Sequence, residues 1–293
     1  MGSAPAWLRF APALFVFLWS TGFIGSRLGV PYAGPFTFLL LRFAIAAALL
    51  GFVCLAAGTR RPGTIREAGH IAVAGLLVHG AYLGGVFYAI AHRVPVGLVA
   101  LIVGMQPLVT ATLAGPLLGE RIGRVQWAGF ALGFAGVALF VLGKYGLALA
   151  AAPDAAGWLA CFTGLAGITA GTLYQKRYCA KMPLAAGGAI QYAACFAVFL
   201  PLAFATETLH VQWTGQFVFA LAWLVLVLST AAIGLLYSMI RHGEANRTAS
   251  LFFLTPPVTA VMAWLLFDEA VTPMALAGMA LTAVGVALVT RRA

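Results

Sequence analysis

The chain has 293 residues, of which 63% are hydrophobic and only 8% charged, where a soluble domain carries roughly 25% charged residues. Its net charge of +10 does not describe a nucleic-acid face, because Lys and Arg sit at the ends of apolar runs rather than clustered on one soluble surface. A water-soluble domain is therefore excluded, and the composition is that of a membrane protein.

Apolar runs bounded by charge or by Pro and Gly give the elements in chain order. Span 1 runs from about Leu8 to Leu28, span 2 from Pro35 to Ala57 and span 3 from Ala68 to Ala91. Span 4 covers Val96 to Leu118 and span 5 Val125 to Leu142. Spans 6 to 8 are Ala156 to Gln175, Leu184 to Ala205 and Phe217 to Ile240. Span 9 is Ala245 to Phe267, and span 10 is Pro273 to Thr290. A bilayer core about 30 Å thick takes roughly 20 apolar residues per helix, so ten helices use about 210 residues and leave short loops. The runs are too long for barrel strands and show no alternation of period two. Only Arg9 precedes the first run, and no small-residue cleavage site follows it, so it reads as a retained helix. Cys54, Cys161, Cys179 and Cys195 lie in or beside apolar runs without CxxC spacing, and read as small buried hydrophobes.

Alternate loops differ in charge. With the N-terminus cytoplasmic, 13 of the 17 Lys and Arg fall on the inner side, from Arg9 to Arg292. The outer side holds Arg27, Arg93 and Lys144, and Arg42 falls inside span 2. The positive-inside rule then puts both termini in the cytoplasm and requires an even number of spans.

A repeat at a constant offset of 149 residues divides the chain. Pro107 to Leu139 aligns with Pro256 to Leu288 without a gap, with 15 of 33 positions identical; roughly three are expected by chance from this composition. Val109-Thr110-Ala111 meets Val258-Thr259-Ala260, Glu120 meets Glu269, and Gly136 to Leu139 meets Gly285 to Leu288. More weakly, Tyr88 pairs with Tyr237, Phe43 with Tyr192 and Gly22 with Gly171. Five spans per copy is an odd number, so the second copy enters the membrane upside down. The loop charges agree: Arg121 and Arg124 follow span 4, while Asp268 to Pro273 after span 9 contains no basic residue. The expected fold is an all-α polytopic membrane protein of ten transmembrane helices in two inverted five-helix repeats, residues 8–142 and 156–290. Such repeats mark secondary transporters that bind substrate near mid-membrane between the halves.

At these residues the chain resembles the drug/metabolite transporter superfamily, EamA type. Pro107-Leu108, Leu118 to Arg121 and Gly129 to Leu139 carry the resemblance in the first copy. Pro256-Pro257, Asp268-Glu269 and Gly278 to Leu288 carry it in the second, and Trp19-Ser20, Pro35 and Arg42 also fit. Within the family the chain is similar to the bacterial aromatic amino-acid exporters (YddG type). The resemblance implies export of small metabolites, a central cavity lined by spans 1–4 and 6–9, and spans 5 and 10 at the periphery. Asp268-Glu269-Ala270 lacks the Gly and Arg that flank Glu120, so the two glutamates need not act alike.

Polar and aromatic groups within the spans are the candidates for substrate binding, since they are costly toward lipid. Arg42 could take a substrate carboxylate; it could equally snorkel to the interface or pair with a helix-end carbonyl. Its counterpart at the repeat offset is the neutral Gln191. His79 and Tyr82 are three residues apart on one helix face beside Gly80, Gly84 and Gly85. A helix-helix contact is the plainer account of His79, and an interfacial belt that of Tyr88 and Tyr237. Trp19, Gln106, Tyr174 and Gln191 are further cavity candidates. Pro107, Pro256 and Pro257 stand inside spans 4 and 9, where each removes a donor and is expected to kink its helix as a hinge or cavity edge. Glu120 and Glu269 read as helix caps at the membrane edge.

All seven acids, Glu67, Glu120, Asp154, Glu207, Glu244, Asp268 and Glu269, lie in loops or at helix ends. Ion-coupled carriers generally keep a carboxylate within the membrane, so the expectation is facilitated movement by alternating access. An intramembrane enzyme lacks support: HExxH and GxSxG are absent and the five histidines are scattered. Nothing resembles a channel filter. Phosphorylated cargo would call for several cavity cations, which favours neutral or zwitterionic solutes over it. The sequence implies a small-molecule substrate and the lipid bilayer as partners, with no cofactor, metal or nucleic acid; monomer and homodimer both fit. The location expected is the bacterial inner membrane.

Overall fold

The computed structural model describes residues 10–92, 94, 99, 102–119, 121–146, 154–242, 245–267 and 272–290. Among them it is all-helical, with no strand and one isolated antiparallel bridge between Ala33 and Val211. Helix α1 spans Ala11–Gly29, α2 Pro35–Ala56 and α3 Ile65–Ala91. Helix α4 is Gln106–Leu118 and α5 Arg124–Tyr145. Then come α6 at Ala155–Tyr178, α7 at Leu184–Thr206 and α8 at Gly215–His242. Helix α9 covers 245–267 in three pieces, and α10 is Pro273–Thr290. Seven described helices are long and apolar enough to cross a membrane, and α1 and α10 contain shorter apolar stretches. The chain is a polytopic helical membrane protein.

Helix ends are capped by the few acids and hydroxyls available. Thr64 accepts from Glu67 N at 3.1 Å and Thr214 from Phe217 N at 3.2 Å. Asp154 caps α6 by accepting from Gly157 N at 2.7 Å. Glu207, at the end of α7, caps a different helix. Its carboxylate accepts from Phe36 N and Thr37 N, both at 2.8 Å, at the start of α2. The positive end of the α2 dipole thus meets a negative charge. These acids sit at helix ends, as the sequence implies; Glu120, Glu244, Asp268 and Glu269 lie outside the described residues.

Helices α5 and α10 pack antiparallel along their whole length through glycine. A Cβ on Gly129 would lie 2.7 Å from the Gly285 carbonyl, and one on Gly285 would lie 2.6 Å from the Gly129 carbonyl. Gly136 and Gly278 oppose each other's carbonyls in the same reciprocal way. Without glycine the backbones could not approach this closely, the usual basis of tight helix pairs in lipid.

Two features depart from the sequence reading. Spans 3 and 8 read as plain α-helix, yet α3 is π-helical over Leu76–Ala81 and α8 over Leu224–Ala232. The two wide turns fall at matching positions of the 149-residue offset. Such turns leave backbone groups free for side chains and recur at functional sites. The paired prolines, expected inside spans 4 and 9 as kinks, instead stand in the first turn of new helical pieces. Gln106–Leu118 carries Pro107 there, and Thr255–Phe267 carries Pro256 and Pro257 after a 3-10 turn at Leu251–Leu254. Proline fits a first turn because its missing N–H has no intrahelical partner there anyway.

Candidate functional site

Arg42 on α2 is only 6% exposed and neither snorkels nor meets a helix-end carbonyl. Its Nε donates to Ser229 Oγ at 3.0 Å, in the π-helical turn of α8. Tyr192 of α7 donates its hydroxyl to the Ser229 carbonyl at 3.0 Å, so one residue of the wide turn receives both side chains. Among the described residues Arg42 has no acidic partner.

His79, in the π-helical turn of α3, is buried and stacks on Tyr192 with ring centroids 4.4 Å apart. Its Nε2 lies 3.4 Å from the Tyr237 hydroxyl, which donates to Gln191 Oε1 at 2.9 Å. Gln191 Nε2 in turn donates to Gln175 Oε1 at 3.2 Å. A chain of hydrogen-bonding groups thus links α3, α8, α7 and α6, running from His79 toward the basic end of the bundle at Gln175. Tyr237 is a fully embedded member of it and not part of an interfacial belt.

These groups border a cavity of about 80 Å³ lined by Trp19, Arg42, His79, Tyr82, Phe87 and Leu228, among others. A smaller recess of about 40 Å³ shares Trp19 and Tyr82 and ends at Phe252, Thr255 and Pro256. Trp19 packs edge-on against Phe252 with centroids 5.2 Å apart, closing the cavity on that side with Phe15 behind. The cavity reaches along Ser26 and Ile90 toward the end of the bundle that carries the 30–34 and 207–214 turns. Toward the opposite, basic end the helices are closed. Lys176 Nζ donates to the Ile240 carbonyl at 2.7 Å, and Arg241 donates to the Ala180 and Met182 carbonyls at 2.6 and 2.5 Å. Of the residues 149 positions beyond the cavity lining, Ile168, Gln175, Gln191, Ala232 and Leu236 are buried.

Of the sequence candidates, Trp19, Arg42, His79 and Tyr82 are brought together on one cavity, and Gln191 and Tyr237 stand behind them. Pro256 touches the recess, whereas Gln106, Pro107 and Pro257 do not line either space. Tyr88 lies apart, stacked between Phe36 and His92. Tyr174 lies toward the basic end, its hydroxyl 2.6 Å from His70 Nδ1, and faces a groove between α4 and α6. Ser229, Tyr192 and Gln175 complete the cluster and are not singled out by sequence. Tyr192 carried a signal as the repeat partner of Phe43; Ser229 offered only a hydroxyl in an apolar run. All four cysteines are buried free thiols.

The model of the EamA-like transporter family matches this chain twice, over residues 8–142 and 155–291. A probable terminal-alkyne amino-acid exporter of Streptantibioticus cattleyicolor is 31% identical, over 96% of this chain and 93% of that protein. An uncharacterized inner membrane transporter, YedA of Escherichia coli, is 26% identical over 95% of this chain and 88% of that one. A probable amino-acid metabolite efflux pump of Salmonella typhimurium is 24% identical over 94% and 92%. A solved crystal structure shares the fold with a TM-score of 0.81, covering 98% of this chain and 97% of that chain at 20% identity. The double match across nearly the whole chain, on a polytopic helical bundle with an internal cavity that carries a buried arginine, makes this protein a member of the EamA-like transporter family.

Proposed function

We propose that the protein is a bacterial inner-membrane exporter of small neutral or zwitterionic amino acids, with aromatic ones favoured. It works by alternating access as a facilitated carrier. Its ten membrane helices form two inverted five-helix repeats, residues 8–142 and 156–290, and both termini are cytoplasmic. The basic end of the bundle is then the cytoplasmic end, and the cavity reaches toward the outside.

The observation that carries the substrate reading is Arg42 on the cavity wall, without an acidic partner among the described residues. Taking a guanidinium out of water is costly unless an anion or several acceptors receive it. Ser229 receives only Nε, and a substrate carboxylate is the group that complements the rest. The walls around it are aromatic and aliphatic, which suits an apolar or aromatic side chain. The names of two relatives, an amino-acid exporter and an amino-acid metabolite efflux pump, point the same way. The double family match and the reciprocal glycine contacts of α5 and α10 support the repeat arrangement.

At about 80 Å³ the cavity has room for two or three waters of about 30 Å³ each, far less than an amino acid needs. Substrate entry therefore requires the helices to part, which supports alternating access over a standing pore. Candidate site residues are Arg42 for the carboxylate and Trp19, His79 and Tyr82 for the walls. Gln191 and Tyr237 orient His79, while Gln106, Tyr88 and Tyr174 act outside the present cavity. Pro107, Pro256 and Pro257 serve as the points about which α4 and α9 reorient.

Uptake into proteoliposomes with a panel of labelled amino acids and sugars tests the assignment. Saturable uptake of aromatic amino acids, competed by their analogues and absent for sugars, is expected. Equal leakage of the whole panel removes the amino-acid reading. Uphill accumulation under a pH gradient that collapses with a protonophore replaces facilitated movement by proton coupling. Thiols introduced at Ile122 and Val271 should label from opposite sides of the membrane; labelling from one side removes the inverted repeat.

A further inference from the structure

Three buried polar atoms lack a hydrogen-bond partner among the described residues: Gln106 Oε1, Thr169 Oγ1 and Thr255 Oγ1. A buried orphan costs free energy and calls for a physical account. Their positions are related. Gln106 and Thr255 are 149 residues apart, each directly before the proline that opens its helical piece. Thr169 is 149 residues from Ser20, and Thr110 the same distance from Thr259.

The two crossings built from these residues are bonded differently. Where α1 meets α9, the single O–H of Ser20 is shared between Val16 O of its own helix, at 2.7 Å, and the Thr255 carbonyl, the weaker contact at 3.3 Å. Thr259 Oγ1 donates back to the Ser20 carbonyl at 3.4 Å. The Thr255 hydroxyl takes no part, so one long bond and one shared contact hold this crossing. Where α6 meets α4, neither equivalent bond is made. Gln106 folds onto its own helix, donating to Thr110 Oγ1 at 3.0 Å, and the Thr169 hydroxyl is left buried and unpaired. Neighbouring contacts carry a second asymmetry. A Cβ on Gly171 would lie 2.5 Å from Val78 Cγ2 and 3.0 Å from the backbone nitrogen of Val78, whereas the nearest atoms to one on its counterpart Gly22 belong to the Leu228 side chain, from 3.1 Å. The inner crossing of α6 on α3 is thus closed to the backbone, and the outer crossing of α1 on α8 is propped by a side chain beside the cavity.

We infer that Ser20 and Thr169 are paired positioning residues of the transport cycle. Ser20, with Thr259, bonds α1 to α9 when the cavity faces outward. Thr169, with Thr110, makes the equivalent bonds between α6 and α4 when it faces inward. The state described here leaves the Thr169 and Thr255 hydroxyls unpaired, a cost that the opposite state can relieve at Thr169, so the carrier is not locked in one state and can cycle. The inference rests on the inverted repeat proposed above and goes beyond it by assigning the groups that set the balance.

The test places a reporter cysteine at Ile90, on the outer reach of the cavity, in a background with Cys54, Cys161, Cys179 and Cys195 replaced by Ser. A membrane-impermeant thiol reagent is added from outside to reconstituted protein. Ser20→Ala removes the contact to α9 in the outward state, so labelling should slow, by up to about 2- to 10-fold, the range of one hydrogen bond. Thr169→Val does the reverse, and labelling should speed up; Ser20→Thr should behave as the parent. The double variant should return toward the parent rate. If Ser20→Ala does not fold, Thr259→Val removes the other bond of that crossing and must shift the rate the same way. Shifts of the same sign, or none beyond 1.5-fold (roughly the scatter expected of one weak bond), overturn the inference. With Ile122 and Val271 labelling from opposite sides, that result removes the paired switch and leaves the repeat standing.

Discussion

Arg42 of α2 and Ser229 of α8 lie 187 residues apart in sequence and meet at 3.0 Å, Nε to Oγ, in the middle of the bundle. The contact exists because α8 widens to a π-helical turn over Leu224–Ala232, which turns Ser229 inward and frees its carbonyl for the Tyr192 hydroxyl. Among the described residues, a cation so placed is held by neutral groups alone. It therefore keeps a strong preference for any anion that enters the cavity.

Replacing Arg42 with Gln should abolish selective binding of amino acids while leaving the helices folded, since the repeat partner position already accepts Gln191. Hydrogen bonds to a charged group are worth about 1.5–3 kcal/mol, so apparent affinity should fall roughly 10- to 150-fold. Arg42→Lys should recover only part of it, because an ammonium cannot present two parallel donors. Half-saturation in proteoliposome uptake measures this. Amines lacking the carboxylate should bind no better to the parent than to Arg42→Gln. If the variant takes up amino acids with the parent's affinity, Arg42 is structural.

The helical bundle and the cavity cation were legible because both leave one-dimensional traces: long apolar runs, the offset pairing of Pro107 with Pro256, and one arginine inside an apolar stretch. His79 and Tyr82 were legible as a face because helical spacing fixes their direction. The π-helical turns leave no such trace. Leu76–Ala81 and Leu224–Ala232 are apolar enough for any helix, and the wider turn is set by what packs against it. Tyr88 and Tyr237 are equivalent by offset, yet one stacks on Phe36 and the other donates to Gln191. Equivalent positions acquire different surroundings when two halves of a bundle are not in the same conformation.

Tyr237→Phe tests whether the hydrogen-bond network is energetically coupled. The change keeps the ring and removes the donor to Gln191 Oε1, leaving a buried acceptor unpaired at about 1–3 kcal/mol. The thermal unfolding midpoint in detergent should fall. Adding Gln191→Leu to Tyr237→Phe should cost less than the sum of the two single changes, because both act on one bond. Strict additivity would show that the 2.9 Å contact contributes nothing.

The α5–α10 seam makes a sharper stability prediction. A methyl on Gly278 would lie 2.6 Å from the Gly136 carbonyl and 2.8 Å from Phe140 Cα, which are backbone atoms that cannot rotate aside. Gly278→Ala should therefore destabilise by about 1–3 kcal/mol, even though alanine is the better helix former. Gly51→Ala serves as the contrast, since a Cβ there meets nothing within 4 Å. It should leave stability unchanged or raise it. The two melting curves compared in one detergent decide the matter; equal shifts would mean the helices separate freely.

Acid should weaken the protein first at the start of α6. The Asp154 carboxyl is held below its ordinary value of 3.8, chiefly by His92, whose Nδ1 lies 2.9 Å from Oδ2, and then by the Gly157 N–H on Oδ1. Because the folded state favours the ionised form, the cap contributes stability at pH values above the ordinary carboxylate range. That contribution is lost as pH falls below about 4 and through the lower folded value. Asp154 is exposed and His92 half-exposed, so the effect is small and weakens with salt. Unfolding midpoints followed from pH 6 to pH 3 should drop more steeply for the parent than for Asp154→Asn, which keeps an acceptor for Gly157 but has no charge to lose. Parallel profiles would show that the charge on Asp154 contributes nothing to the acid sensitivity.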